Sequence, residues 1–191
     1  SRRQRQMCIR DSPNCMVIDS ANDAVKRRLV QSFSSDLIRF YYGGDMIGNE
    51  VGAAAKNVVG IAAGFLDGFE MSSLKGALMS RGTREVARLI KAMGGSELSA
   101  YGLCHLGDYE ATVFSPYSHN RQFGEAFVRG QDYHQLAEGY YTVKALMLLG
   151  KKYGVELPIC KAVHDILYEH AVPKDVLAGL LRRGLTEEFY D

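Results

Sequence analysis

A single lysine, Lys56, sits in the run from Gly48 to Gly64, GNEVGAAAKNVVGIAAG, among small and apolar residues. At 3.6 residues per turn, Gly52 and Ala53 fall one turn before it and Val59 and Gly60 one turn after. Its own helical face therefore carries no large side chain and reads as a groove holding an amine. Such an amine has two uses. It can snorkel to water past its small neighbours, or pair with a buried carboxylate. It can also act as a general base, because desolvation favours the neutral form. Lowering a lysine from about 10.4 to near 7.5 takes roughly 4 kcal/mol of differential solvation, within reach of a dry groove. Residue types alone leave both uses open.

The segment from Gly102 to Gly124, GLCHLGDYEATVFSPYSHNRQFG, holds the polar groups such chemistry would need. Asp108, after Gly107, has the type of a turn or cap residue. Beside the lysine it would orient the amine but raise its pKa, against the effect of desolvation. Ser118, His119, Asn120 and Arg121 open a helix predicted to run to about Arg129. Helix N-termini present free N–H groups and a partial positive charge, and hydroxyl, amide and cationic side chains beside them suit a phosphate. Leu136 and Glu138 precede another apolar-periodic stretch and by type are a core leucine and a first-turn helix acid. Cys160 and His164 stand at metal-ligand spacing, but with no third ligand nearby they read as a packed or solvated pair.

These side chains need a helical frame. Ile47, Val51, Ala54, Ala55, Val58, Ala62, Leu66 and Phe69 form the stripe of a central, mostly buried helix, capped by Asp45 and ending near Gly68. Leu74, Ala77, Leu78, Arg81, Val86, Leu89, Ile90 and Met93 mark a second helix from about Ser72 to the Gly94–Gly95 stop. Within it Gly82 implies either close helix contact or a bend. A short helix is expected around Ser96–Cys104. Another runs from Gly139 to Tyr153, stopped by Gly154, and Pro158 and Pro173 start two more. Before Gly43 the pattern differs. CMVID (Cys15–Asp19), a helix with Val25, Leu29, Val30 and Phe33, and LIRFYY (Leu37–Tyr42) read as strand, helix, strand, a βαβ crossover at one end of a parallel sheet. The fold class is mainly α, with a boundary near Gly43.

Composition bounds the function. In 191 residues with 47% hydrophobic content there is one good core, or one and part of a second. No apolar run approaches a membrane span. The cysteines, at 8, 15, 104 and 160, include no Cys-x-x-Cys, which indicates neither a disulfide framework nor a zinc cage and fits reduced thiols in a cytoplasm. The first dozen residues hold four arginines and resemble a translated adapter, so residues 1–13 are taken as a non-native or disordered arm. Without the first dozen, the net charge of +1 becomes −2, and nucleic acid is not an expected partner.

The Lys56 segment with DMIG before it, Asp45–Gly48, resembles the start of the C-terminal domain of bacterial NAD(P)-dependent glycerol-3-phosphate dehydrogenases. The similarity runs from about Asn14 to the end. It implies a βαβ remnant of a dinucleotide-binding (Rossmann) domain over 14–44 and, over 45–191, a helical substrate domain like the C-terminal bundle of 6-phosphogluconate dehydrogenase. It implies Lys56 as proton acceptor and Lys56, Asp108, Ser118, His119 and Asn120 as substrate-binding positions for glycerol 3-phosphate or dihydroxyacetone phosphate. It further implies His119, Leu136 and Glu138 near an NAD or NADP cofactor. His119 departs from the family's arginine. A histidine is mostly neutral at pH 7 and lacks the bidentate fork, which weakens its hold on a phosphate unless Arg121 shares the task. No Gly-x-Gly-x-x-Gly occurs in the sequence, so the pyrophosphate turn is missing and the polypeptide alone is expected to be inactive. The alternatives are a hydroxy-acid or ketopantoate-type dehydrogenase domain, or a non-catalytic helical module with Lys56 as a structural lysine and the small-residue face a helix-packing or homodimer surface.

Overall fold

The computed structural model describes residues 13–182, 184 and 188. The expected basic arm lies outside them except for Pro13. Two parallel strands, β1 (Asn14–Ile18) and β2 (Ile38–Tyr42), pair in register from Asn14↔Ile38 to Ile18↔Tyr42. The crossover between them is α1 (Asp23–Phe33), whose N-terminus is capped by the Asn22 side chain accepting from the Val25 amide at 3.1 Å. Asp19 fastens this unit to the helices that follow: one carboxylate oxygen accepts from the Asp45 amide at 2.9 Å and from Asn49 Nδ2 at 2.8 Å. Gly43 is required at this joint, because a Cβ there would lie 2.6 Å from Asp19 Cβ.

The remainder is helical. The central element is α2 (Met46–Gly68), with Asp45 as its N-cap. Asp45 accepts from the Gly48 amide at 3.0 Å, the Ser96 amide at 2.8 Å and the Ser99 hydroxyl at 2.6 Å. Burial works against ionisation of this carboxyl, but those three donors outweigh it and lower its pKa. From Val58 to Leu66 every residue of α2 is buried, as expected of a helix surrounded by others. Around it pack α3 (Lys75–Ala92), α4 (His119–Val128), α5 (Glu138–Tyr153) and α6 (Pro158–Tyr168), and α7 (Pro173–Leu181) packs on α6. The main core joins Ala55, Val58, Ile61 and Phe65 of α2 to Val86, Leu89 and Ile90 of α3 and to Val143, Val163 and Ile166 of α5 and α6.

The stops fall where the residue types place them. Gly154 ends α5 with φ of +68°, and proline opens α6 and α7. The stretch expected as a short helix after Gly95 is a 3₁₀ turn at Glu97–Tyr101, and α3 is preceded by another at Ser72–Leu74. Helix α3 runs unbroken through Gly82, where a Cβ would stand 3.3 Å from Val59 Cγ2, so the glycine serves close packing rather than a bend. Glu85, fully buried on α3, accepts from the Ile159 and Cys160 amides at 2.8 and 2.9 Å and so caps α6 from outside its own helix. The Cys160 amide is committed to that cap. No group of three His, Cys, Asp or Glu able to hold a metal occurs among the described residues. None of their helices is long and apolar enough to cross a membrane.

One expectation is corrected. The small-residue face around Lys56 is not an open groove but a close packing surface. A Cβ on Gly52 would meet Cys104 Sγ at 3.0 Å, on Gly60 Thr112 Cγ2 at 2.9 Å, and on Gly64 the Arg121 carbonyl oxygen at 2.1 Å. On α4, a Cβ on Gly124 would lie 2.2 Å from the Ile61 carbonyl oxygen. The glycines let the backbone of α4 and the segment before it reach α2, and the groove is filled by them.

Candidate active site

Lys56 lies between two of these contacts, with Gly52 one turn before and Gly60 one turn after. The segment over both glycines carries Asp108 to the amine, and Lys56 Nζ donates to Asp108 Oδ2 in an ion pair across 52 residues of sequence. The Lys56 side chain is 22% exposed and that of Asp108 38%, so the pair is half-buried and still open to a small solute. Burial pushes the lysine below its ordinary pKa, opposed by the negative charge of Glu138 and by Cys104. The adjoining Asp108 carboxylate also favours the charged amine.

Beside the lysine, Asn57 links the starts of two helices. Its Nδ2 donates to Glu138 Oε2 at 3.0 Å, and its Oδ1 accepts from Asn120 Nδ2 at 3.1 Å. Asn120 Oδ1 in turn accepts from the Gly139 amide at 2.8 Å, capping α5. A Cβ on Gly139 would fall 2.5 Å from the Asn57 carbonyl oxygen, so this helix start is pressed directly onto α2. Ser118 is buried as the N-cap of α4, its hydroxyl accepting from the Arg121 amide at 3.3 Å. His119 Nδ1 meets the Tyr133 hydroxyl at 2.8 Å, and that hydroxyl donates to Gln122 Oε1 at 3.3 Å. Leu136, just ahead of α5, is 66% exposed.

The structure thus brings together Lys56, Asp108, Asn120 and Glu138 through direct contacts or through Asn57. Ser118 and His119 adjoin Asn120 at the same helix start. Leu136 is exposed, contrary to the core position its type suggests. Arg121 does not share a phosphate site. Its guanidinium is held by Asp67 at 2.6 Å, Glu125 at 3.0 Å and the Ser115 carbonyl at 3.0 Å, where it joins the end of α2 to α4. Asn57 escaped the sequence reading as a site residue. Its signal was a second polar residue, directly after Lys56, within the apolar stretch from Val51 to Leu66.

The arrangement comprises a half-buried amine whose pKa is set by competing burial and charge, a carboxylate that orients it, and two helix N-termini beside it. It can move a proton at a bound hydroxyl or carbonyl and hold an anion next to that atom. Leu136 and Glu138, expected near a dinucleotide cofactor, are both exposed at the start of α5. The glycine-rich turn that would hold the pyrophosphate is not in this sequence.

Residues 45–178 match the family model described as the C-terminus of NAD-dependent glycerol-3-phosphate dehydrogenase. A Thermus thermophilus protein named glycerol-3-phosphate dehydrogenase (NAD(P)+) is 43% identical over 168 residues, which are 85% of this chain and 52% of the relative. One from Thermotoga is 37% identical over 172 residues, 86% of this chain and 54% of its own length. The crystal structure of a glycerol-3-phosphate dehydrogenase from Coxiella burnetii superposes with a TM-score of 0.83 at 32% identity, over 90% of this chain and 55% of that one. The chain therefore spans about half the length of the curated relatives it matches. On these matches, together with the helical frame they share with it, the chain belongs to the NAD-dependent glycerol-3-phosphate dehydrogenase family, of which it carries the C-terminal part.

Proposed function

We propose that this chain is the substrate-holding half of an sn-glycerol-3-phosphate:NAD(P)+ 2-oxidoreductase, which interconverts glycerol 3-phosphate and dihydroxyacetone phosphate for phospholipid synthesis in the cytoplasm. In this reading residues 14–44 are the tail of the nucleotide-binding domain and residues 45–191 the substrate domain. The observation that carries it is the Lys56–Asp108 ion pair, packed beside the N-termini of α4 and α5. The names of the relatives support the substrate and the cofactor.

In oxidation, Asp108 holds the Lys56 amine at the C2 hydroxyl, and the neutral amine takes the hydroxyl proton as the C2–H electron pair departs as hydride. Bound NAD or NADP supplies the acceptor for that hydride. In reduction, the ammonium returns the proton to the carbonyl oxygen. The amides at the start of α4, with Ser118, His119 and Asn120, hold the phosphate, and Glu138 and Leu136 border the cofactor. The small-residue face is occupied by contacts within the chain, which argues against a module that dimerises through it.

The experiment is Lys56→Ala in the chain completed with its nucleotide-binding half. We expect kcat to fall by about 10²–10⁴-fold with the circular dichroism spectrum unchanged. Retained turnover with a damaged fold would make the lysine structural.

A further inference from the structure

Three residues before Asp108 lies His105, which no part of the reaction above uses. Its ring is fully buried, 0% exposed, and both nitrogens are engaged. Nδ1 lies 2.8 Å from the Gly52 carbonyl oxygen and Nε2 lies 2.6 Å from the Tyr109 hydroxyl. A carbonyl only accepts, so Nδ1 carries the hydrogen and Nε2 accepts from Tyr109. Gly52 is four residues before Lys56, so its carbonyl belongs to the helical turn that carries the lysine. Asp108 stands between the two anchored rings. Its amide donates to the His105 carbonyl at 3.1 Å, and its carbonyl accepts from Thr112 Oγ1 at 2.9 Å. Thr112 packs on Gly60, so the segment is fixed to α2 one turn either side of Lys56.

We propose that His105 is a positioning residue for the Lys56–Asp108 pair: by joining the Gly52 carbonyl to the Tyr109 hydroxyl it fixes the turn that presents the Asp108 carboxylate to the amine. Its role in catalysis rests on the reading of Lys56 as proton acceptor, but the geometry it controls does not.

The test is a double-mutant cycle read at Lys56 itself. The Lys56 Cε resonance is titrated by NMR in the 191-residue chain and in Asp108→Asn, His105→Leu and the double variant, with circular dichroism reporting the fold of each. With His105 present, Asp108→Asn lowers the Lys56 midpoint by about 1 unit or more, since a close carboxylate favours the ammonium. With His105→Leu, which keeps apolar volume but removes both ring nitrogens, the same change produces less than about a third of that shift. His105→Asn, whose amide takes the place of Nδ1 toward Gly52, restores most of it. If His105→Leu does not fold, Tyr109→Phe replaces it, removing only the hold on Nε2, and roughly halves the shift.

A histidine that merely fills the core would cost stability and leave the Asp108 shift intact. An equal shift in both backgrounds therefore overturns the proposal, and so does the absence of a shift in either. Neither result touches the dehydrogenase reading, which is decided by turnover of the completed enzyme.

Discussion

The Lys56 amine is pulled two ways: burial favours its neutral form, and the carboxylates of Asp108 and Glu138 favour the charged one. Oxidation needs the neutral amine, so the rate should rise with pH through the Lys56 pKa and level above it. Asp108→Asn removes a charge that raises that pKa. In the completed enzyme its rising limb of kcat should move to lower pH, by about 1–3 units, while the plateau drops because the amine loses its orientation. A limb that stays in place or moves to higher pH would show that Asp108 does not act on the lysine.

His105 makes a separate prediction. Burial lowers its pKa from 6.5 to about 4. Between those values the folded chain binds fewer protons than the unfolded chain, so stability rises with pH. The contribution is complete above about 6.5 and is lost as pH falls toward 4, roughly 3 kcal/mol in all. Urea unfolding at pH 7 and pH 4.5 should show a steeper loss in the native chain than in His105→Leu, and parallel losses would assign the acid sensitivity to other groups.

At the scale of elements, the fold depends on how closely α4 approaches α2. Gly64→Ala would drive a Cβ into the Arg121 carbonyl and the Glu125 amide, which are backbone atoms that cannot swing aside. It should cost at least about 2 kcal/mol in urea unfolding. Gly76→Ala, near the start of α3, meets nothing within 4 Å and should be neutral or stabilising by up to about 1 kcal/mol. If both alanines are tolerated equally, the close contact is not holding the elements together. The sequence showed that α2 would be rich in glycine and alanine and largely buried. It did not show which elements would fill the notches, because small residues admit many partners and name none.

At the scale of the molecule, the described residues hold the Lys56–Asp108 pair beside two helix N-termini and a two-stranded piece of sheet, with Tyr41 and Tyr42 of β2 exposed. The chain spans about half of its relatives, and no pyrophosphate-binding glycine turn is present. The 191-residue polypeptide alone should therefore fail to oxidise NAD(P)H with dihydroxyacetone phosphate, and joining it to a nucleotide-binding half should confer turnover. Measurable oxidation by the isolated chain would refute this.

Local chemistry was enough to place the helix ends, since Asp45, Ser118, Gly154, Pro158 and Pro173 act on backbone within a few residues of themselves. It was enough to single out Lys56, whose charge is conspicuous among apolar neighbours. Periodicity carries no information about contacts across 52 residues, as between Lys56 and Asp108, or across 81, as between Asn57 and Glu138. Those pairings, the withdrawal of Arg121 into the Asp67 ion pair and the burial of His105 behind Asp108 arise only when α2 is enclosed. Each buried polar group must then find its partner among whatever packing brings within reach.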